Sequence, residues 1–415
     1  MEFYEFNEVE ERVILVGVQA MTGDDTEESV NELGDLADTA GAKVVGAVIQ
    51  RREKIHPGTY IGKGKIEEVR QLLWETDATG IICDDELSPA QLNNLQMELD
   101  CKVMDRTLLI LDIFAKHATS REGKIQVELA QLKYRAARLT GLGNSLSRLG
   151  GGIGTRGPGE KKLEMDRRVI RTRISHLKQE LEEVIRHREL IRSQRKKSEQ
   201  RIAALVGYTS VGKSAIFRYL TGADVLEDAK LFATLDTTTR GIQLSGRQEI
   251  LLTDTVGFIR KLPHHLVEAF KSTLEEVCCA DILIHVVDAS SEQMEAQMHV
   301  VYETLQELGV KDKPVITVFN KQDLLETPGR SRDFRADYCI AASAHTGLGM
   351  DEIKEDIEKI LRDQKIYIER LYPYEKAGLI QVIRKKGELI EEEYQAEGIF
   401  VRAYVPKSIY MQVTV

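Results

Sequence analysis

The N-terminal part of the chain alternates short apolar runs with segments whose apolar residues recur at helical spacing. RVILVGVQ and KVVGAVIQ have the length of buried strands, whereas SVNELGDLADTAG and KIEEVRQLLWE have the length and spacing of helices. Strands that alternate with helices in this way predict a parallel sheet with helices on both faces. We therefore expect a small parallel-sheet α/β domain over residues 1–115.

Two long stretches of helical periodicity follow. Apolar residues recur at steps of four and three in the first stretch, and at every seventh position with a neighbouring stripe in the second. Roughly twenty residues join the two stretches, so we expect an antiparallel helical hairpin over residues 116–199. The first stripe is Ile125, Leu129, Leu132, Ala136 and Leu139, and the second is Leu163, Ile170, Ile174, Leu177, Leu181, Val184 and Ile191.

The alternation of strands and helices resumes after the hairpin. IAALVG, ILLTDT, DILIHVVDA, PVITVFN and YCIAASA are buried-strand runs separated by helix-length segments, which predicts a larger α/β domain over residues 200–364. IYIERLY, EKAGLIQVIRKKG, LIEEEYQ and IFVRAYVP predict a small α+β domain over residues 365–415. The 415 residues are enough for several cores, so the predicted fold class is multidomain α/β.

The N-terminal sequence, the charge and the cysteines bear on the cellular location and the partners of the protein. The N-terminus carries acid where a signal peptide needs base, and no apolar run approaches the roughly 18 residues of a membrane span. We expect a cytoplasmic monomer without stable membrane association and without DNA as a partner. A net charge of −10 argues against unspecific adhesion to nucleic acid through the whole surface, but it leaves room for a local basic site. The five cysteines show no zinc-binding spacing and are expected to be buried reduced thiols.

The string GYTSVGKS lies between the strand run IAALV and the helical segment AIFRYLTG. The pattern GxxxxGK[ST] brings backbone N–H groups close to phosphate oxygens at a helix N-terminus. Lys213 is expected to reach the β- and γ-phosphates, and the Ser214 hydroxyl is expected to ligate Mg²⁺. The predicted phosphate-binding residues are Gly207, Tyr208, Thr209, Ser210, Val211, Gly212, Lys213, Ser214 and Ala215.

Two segments are expected to respond to the γ-phosphate. DTVG ends a strand run and places Asp254 near the Mg²⁺ shell and the Gly257 N–H near the γ-phosphate. LFATLDTTTR offers four threonines for the remaining magnesium position. We assign Thr234, which precedes leucine in a phenylalanine-x-threonine-leucine string, and we expect the rest of the segment to be a polar loop. The predicted catalytic residues are Lys213, Thr234 and Gly257, the predicted metal ligands are Ser214, Thr234 and Asp254, and the alternative threonines are Thr237, Thr238 and Thr239.

The string NKQD follows the strand run PVITVF. Here Asn320, Lys321 and Asp323 are predicted to bind the base, with the Asp323 carboxylate accepting hydrogen bonds from N1–H and the exocyclic amine of guanine. Adenine offers no such pair of donors and would leave the carboxylate unpaired. Ser343 and Ala344, after YCIAA, fit a backbone contact to guanine O6. Four motifs in this order indicate that the nucleotides are GTP and GDP.

Phe258 follows DTVG at the position where many GTPases carry a glutamine that orients the attacking water. A phenyl ring cannot hydrogen-bond that water. Hydrolysis is therefore expected to be slow until a partner supplies the missing group. Packing of the switch loop is an equally compatible role for the ring.

The hairpin tip carries six glycines and strong positive charge. Between residues 133 and 173 there are eleven basic and three acidic residues, which leaves a net charge of about +8 and suits phosphate contacts. Glycines let the backbone approach folded RNA closely; a solvated connector is the alternative, but a connector between antiparallel helices needs only a handful of residues. The glycines are Gly150, Gly151, Gly152, Gly154, Gly157 and Gly159.

TYIGKGKIEEV, DDELSPAQLNNL, RLGGGIGTRGPGEKKLEMDRR, GYTSVGKS, FATLD, DTVGF and NKQD together resemble HflX, a family of ribosome-associated GTPases in the Obg–HflX group. The resemblance implies binding to the large ribosomal subunit, with the hairpin tip near the peptidyl-transferase centre and the N-terminal domain against ribosomal RNA. It also implies splitting of stalled ribosomes in the GTP state and hydrolysis stimulated by the ribosome. Ala215 departs from the family, which often has a second hydroxyl there.

Two other functions remain open from the residues. The protein could be a GTP-gated switch for a non-ribosomal protein or membrane effector, although no basic amphipathic membrane helix or lipidation site is evident. It could also be an RNA-remodelling ATPase that uses TYIGKGK, residues 59–65, as a second anion-binding turn. An RNA-backbone contact or a plain helix start explains that turn equally well.

Overall fold

The computed structural model describes residues 10–19, 25–147, 158–197, 200–222, 231–232, 237–244, 249–261, 274, 276–327 and 331–414. These residues form two units. The first comprises described residues of 1–194, 228–236 and 258–274, and the second comprises those of 195–227, 237–257 and 275–415. The predicted multidomain α/β class is confirmed.

The first unit contains a four-stranded, fully parallel sheet in the order β2-β1-β3-β4. Helices α2 and α3 share a core with the β1 residues Ile14, Val16 and Val18. The Ser88 side chain caps α3 in a reciprocal capping box with Gln91. The elements are β1 (Arg12–Gln19), α1 (Thr26–Ala40), β2 (Lys43–Arg51), α2 (Lys63–Thr76), β3 (Gly80–Cys83), α3 (Pro89–Leu99), β4 (Lys102–Asp105) and α4 (Arg106–His117).

Two long helices, α5 (Arg121–Ser147) and α6 (Pro158–Lys197), form the predicted hairpin. Ion pairs join Glu122 to Arg188 at 3.0 Å and Glu128 to Arg173 at 2.8 Å, which fixes the antiparallel direction. Both predicted stripes contribute to the core between the helices. That core contains Ile125, Leu129 and Leu177, with Leu132, Ile174, Leu181 and Val184 packed against it. The glycine-rich stretch 148–157 lies outside the described residues.

A buried carboxylate ties the hairpin to the sheet of the same unit. Asp105, at the end of β4, has no exposed surface. Its two oxygens accept hydrogen bonds from Leu87 N (3.1 Å), Leu108 N (2.9 Å), the Tyr134 hydroxyl (2.7 Å) and the Arg138 guanidinium (2.6 Å). Since Tyr134 and Arg138 belong to the middle of α5, this carboxylate fixes that helix part-way along its length.

Asp105→Asn is expected to lower the free energy of unfolding of the first unit by about 3 kcal/mol. The amide keeps one acceptor oxygen but points an NH₂ group at donors, and it leaves the half-buried Arg138 charge without its partner. Urea denaturation followed by circular dichroism measures the change. Asp100→Asn, at an exposed carboxylate, is the matched control. Equal stability of the two variants would contradict this role of Asp105.

The second unit contains a six-stranded sheet in the order β10-β9-β8-β5-β7-β6, parallel except for β6. The carboxyl ends of β5, β7, β8 and β9 therefore meet at one edge, where ligands of such sheets bind. The elements are β5 (Ile202–Gly207), α7 (Lys213–Thr221), β6 (Thr238–Gln243), β7 (Glu249–Asp254), β8 (Ile282–Asp288), α8 (Met294–Glu307), β9 (Val315–Asn320), β10 (Tyr338–Ala341) and α9 (Met350–Asp363).

The C-terminal part of this unit is an antiparallel sheet in the order β11-β13-β12. Two helices cover one face, and the core between them includes Ile368, Ile383, Val401 and Ile409. The elements are β11 (Ile366–Tyr372), α10 (Ala377–Lys386), β12 (Glu388–Gln395), β13 (Gly398–Val405) and α11 (Lys407–Thr414).

Two expectations from the sequence differ from the structure. Thr238 and Thr239 are not in a polar loop, because they begin strand β6, which pairs with β7. The expectation of five buried thiols is also wrong: all five cysteines are free, but only Cys83 is buried, while Cys279 and Cys339 are exposed.

Candidate nucleotide-binding site

The segment between β5 and α7 forms a loop at the carboxyl edge of the second sheet. Gly212 caps α7 with a left-handed backbone, φ 95°. A Cβ atom there would lie 2.3 Å from Nδ2 of Asn320, so only glycine fits both the backbone and the space. This tight approach joins the predicted phosphate loop to the predicted base-binding motif.

The Lys213 side chain is buried beneath this loop. Its Nζ donates to the carbonyl oxygens of Gly207 (3.2 Å) and Tyr208 (2.5 Å). Burial lowers the pKa of Lys213 to about 8, although the nearby Asp254 carboxylate opposes the shift. The ammonium is thus held inside the loop with limited solvation, where a phosphate would add the negative charge that it lacks.

Nucleotide binding is expected to take up a proton as the pH rises above about 8. The folded pKa lies below the ordinary value of 10.5, so Lys213 in the free protein loses its proton from pH 8 upward, and a bound phosphate restores it. Between pH 8 and 10.5 the unfolded chain keeps this proton while the folded protein loses it. The free energy of unfolding of the nucleotide-free protein therefore rises with pH in this range. Calorimetry of GDP binding from pH 7.5 to 9 in buffers of different ionisation enthalpy measures the uptake. Lys213→Arg stays charged and should abolish it; equal uptake by both proteins would contradict the assignment.

Two oxygen donors that suit magnesium lie side by side. The Ser214 hydroxyl donates to Oδ2 of Asp254 at 2.7 Å, and Asp254, at the end of β7, is 1% exposed. A hydroxyl and a carboxylate are hard oxygen ligands of the kind that Mg²⁺ prefers, so these residues fit the ion. Bound Mg²⁺ supplies positive charge to the phosphates. The third predicted ligand, Thr234, lies outside the described residues.

Gly257 packs directly on the phosphate loop. A Cβ atom at this position would lie 2.8 Å from Cα of Thr209 and 3.0 Å from Nζ of Lys213. The Gly257 backbone can therefore reach the space above Lys213 only because it has no side chain. This placement suits the predicted N–H contact to the γ-phosphate.

The base-binding motif is tied to the phosphate loop by Asn320. Its Nδ2 donates to the Val211 carbonyl at 2.8 Å, and its Oδ1 accepts from Ala344 N at 2.9 Å. One amide side chain thus connects the residues predicted to bind phosphate with those predicted to bind the base. The sequence did not predict these two loop contacts, and the predicted contact of Asn320 with the base stays a prediction.

Asp323 is exposed at the same edge. The Ser343 hydroxyl donates to its Oδ1 at 2.6 Å. This hydrogen bond is the main cause that lowers the pKa of Asp323, with smaller contributions from His345 and Lys321. The carboxylate is therefore ionised at neutral pH and can accept from the two donors of guanine. Sequence reasoning gave Ser343 only a backbone role and missed its hydroxyl.

The residues flanking the predicted switch segments contact the N-terminal part of the chain within the first unit. The Phe232 ring meets Phe114 of α4 edge-on, with centroids 4.7 Å apart. Lys261 pairs with Asp84 and with Asp85, the latter at 2.8 Å. Phe258 is 2% exposed, so its ring serves packing. These contacts join segments far apart in sequence, and no local motif could have predicted them.

Comparison with known proteins gives the family. The family models "GTP-binding GTPase N-terminal", "GTP-binding GTPase Middle Region" and "50S ribosome-binding GTPase" match residues 27–115, 117–195 and 202–321. GTPase HflX of Lacrimispora saccharolytica is 63% identical over 99% of this chain and 97% of its own length. The chain belongs to the HflX family of GTPases.

Two further HflX relatives cover most of this chain. The GTPase HflX proteins of Caldanaerobacter subterraneus and Escherichia coli are 50% and 40% identical, over 95% and 93% of this chain and 91% of each relative. A GTP-binding protein of Sulfolobus solfataricus in complex with GDP is 25% identical over 84% of this chain and 98% of its own, with a TM-score of 0.45.

This HflX-family protein is therefore a GTPase that binds GTP, GDP and Mg²⁺ and hydrolyses GTP to GDP and phosphate. The structure suits the residue roles predicted from the sequence: the loop that ends at Gly212 would receive the phosphates, and the Lys213 ammonium would offset charge on them. Among the described residues, no helix is both long and apolar enough to cross a membrane.

Proposed function

We propose that this protein is a GTP-gated factor that binds the large ribosomal subunit in the cytoplasm and splits or rescues stalled ribosomes. In this proposal the ribosome stimulates GTP hydrolysis. The observation that carries the proposal is the concentration of positive charge, about +8 between residues 133 and 173 of an acidic chain, on a helical hairpin. The match of residues 202–321 to a family described as "50S ribosome-binding GTPase" supports the same partner.

The hairpin has the form of an arm that could carry its tip to RNA. Helices α5 and α6 span 27 and 40 residues, and at 1.5 Å per residue α5 alone extends about 40 Å. The Asp105 carboxylate holds the middle of α5, through Tyr134 and Arg138, and the helix runs on from this anchor to Ser147. Such an arm would present residues 150–159 and their basic flanks to ribosomal RNA.

Several basic side chains of the arm face solvent. Arg135, Arg168 and Arg171 are exposed, whereas Arg138 and Arg173 are engaged with Asp105 and Glu128. Exposed arginines can donate to phosphate oxygens without first breaking a strong contact in the protein. We assign Arg135, Arg168 and Arg171 to RNA contacts. Arg138 and the exposed but paired Arg173 are assigned to holding the arm together.

The buried Phe258 supports activation by a partner. Its ring is inside the protein and cannot orient the attacking water. The chain then runs directly into Lys261, which is paired with Asp84 and Asp85, the two residues that follow β3. A change at Gly257 on γ-phosphate binding would thus be transmitted along four residues to the unit that carries the arm.

Co-sedimentation with purified large subunits tests the partner. The GTP-analogue form of the full chain should bind more tightly than the GDP form, and its affinity should fall steeply with salt. The Arg168→Ala/Arg171→Ala variant should lower the slope of log affinity against log salt by about two. Lys311→Ala/Lys354→Ala, outside the arm, is the matched control. No binding of the GTP form, or binding to phospholipid vesicles instead, would overturn the proposal.

A further inference from the structure

Asp288 stands beside the base-binding motif without belonging to any motif in the sequence. It ends β8 and is paired in register with Asn320, the last residue of β9. Oδ2 of Asp288 lies 2.7 Å from Nζ of Lys321. Oδ1 accepts from both the backbone N–H (3.0 Å) and the hydroxyl (2.6 Å) of Ser290. The carboxylate is thus fixed at one oxygen and holds a lysine with the other.

Lys321 pairs with the Asp288 carboxylate and is close enough to Asp323 for its charge to act there. Its backbone is left-handed, φ 64° and ψ 32°, a conformation that side chains other than glycine adopt at a cost. The charge of its ammonium reaches Asp323, two residues later, and contributes to lowering the pKa of that carboxylate. In the structure the ammonium nevertheless pairs with Asp288.

The carboxylate with which Lys321 pairs matters for nucleotide binding, because a lysine ammonium and a guanine base would use the same acceptor oxygens of Asp323. Ser343 already donates to Oδ1 of Asp323, so few lone pairs remain for N1–H and the 2-amino group of the base. An ammonium in contact with Asp323 would take a further lone pair and reduce the negative charge that strengthens both hydrogen bonds. Guanine would then have to displace it.

We propose that Asp288 is a positioning residue for guanine recognition: it draws the Lys321 ammonium away from Asp323 and leaves that carboxylate free for the base. The inference rests on the proposed assignment of Asp323 to guanine. The same pairing fixes the methylene chain of Lys321 in one direction, which removes rotamers that the nucleotide would otherwise have to exclude.

The test compares GDP with IDP, which lacks the 2-amino group. In the full-length Asp288→Asn variant, GDP affinity should fall about five- to tenfold, and IDP affinity should fall less because IDP makes one hydrogen bond fewer to Asp323. The ratio of the two affinities should therefore shrink. Asp288→Glu keeps the charge and should restore most of the ratio.

A double-mutant cycle separates competition from a structural role. In a Lys321→Gln background no ammonium is left to compete, so adding Asp288→Asn should not change the GDP to IDP ratio further. Equal losses for GDP and IDP, or the same loss with and without Lys321, would overturn the inference. If Asp323→Asn shifts the base preference from guanine to xanthine while Asp288→Asn leaves the GDP to IDP affinity ratio unchanged, only the role of Asp288 is wrong. If Asp323→Asn fails as well, the base-site assignment itself is wrong.

Discussion

GTP turnover in the Lys213→Ala variant is expected to fall by roughly 10²- to 10³-fold, the range found when one preorganised donor to a developing oxyanion is removed. The ammonium is buried under the phosphate loop and donates to the Gly207 and Tyr208 carbonyls, so alanine removes a positive charge from a place that water cannot fill well. Nucleotide affinity should fall with it, since the phosphates would face carbonyl oxygens without a counter-charge.

Release of phosphate measured under single-turnover conditions checks this effect. Lys311→Ala, at an exposed lysine outside the site, should behave as the parent protein. Unchanged turnover in Lys213→Ala would remove Lys213 from the catalytic machinery. ATP turnover that persists in Lys213→Ala would favour a separate ATPase site. The TYIGKGK turn, residues 59–65, would then be the candidate location of that site.

Asp323→Asn is expected to convert the protein from guanine to xanthine nucleotides. The carboxylate is ionised and accepts from Ser343, and its remaining acceptors face solvent where the base would lie. An amide offers one acceptor and one donor group, so it would pair with the 2-carbonyl of xanthine where the carboxylate pairs with the 2-amino group of guanine. A GTP affinity at least about 100-fold lower is expected, because a site built for donors rejects a mismatch strongly.

Competition between GDP and XDP for a fluorescent nucleotide measures the conversion. Asp337→Asn is a suitable control because that residue lies outside the motif, although it accepts a hydrogen bond from Val315 N. Unchanged guanine selectivity would show that Asp323 does not contact the base.

Long periodic segments allowed most of the fold to be predicted from the sequence. The stripes of α5 and α6 and the strand runs of both parallel sheets carry their own pattern, because each buries residues at a fixed spacing. Strand β6, with the sequence TTRGIQ, has no such hydrophobic pattern, because it lies at the edge of the sheet and most of its residues are polar. It forms a strand only through its pairing with β7, which a local pattern does not show. The thiols were misjudged for a similar reason: Cys339 lies on β10, the other edge of that sheet.

The phosphate loop could be predicted because its chemistry is contiguous in sequence. GYTSVGKS places backbone groups, Lys213 and Ser214 on one turn, and a single turn is fixed by local residues. Asp288 could not be found in this way, since it meets Lys321 only through the pairing of β8 with β9. The contacts of Lys261 with Asp84 and Asp85 join residues far apart in the chain, and only the fold brings them together.

The most direct test of the account is the rate of GTP hydrolysis by the full chain alone, with large ribosomal subunits, and with subunits plus a variant whose residues 150–159 are replaced by a short linker. The full chain alone is expected to hydrolyse GTP slowly, because Phe258 cannot orient water. Large subunits should stimulate hydrolysis strongly, and the linker variant should lose that stimulation. Hydrolysis that large subunits leave unchanged would contradict the central claim that the ribosome completes the active site.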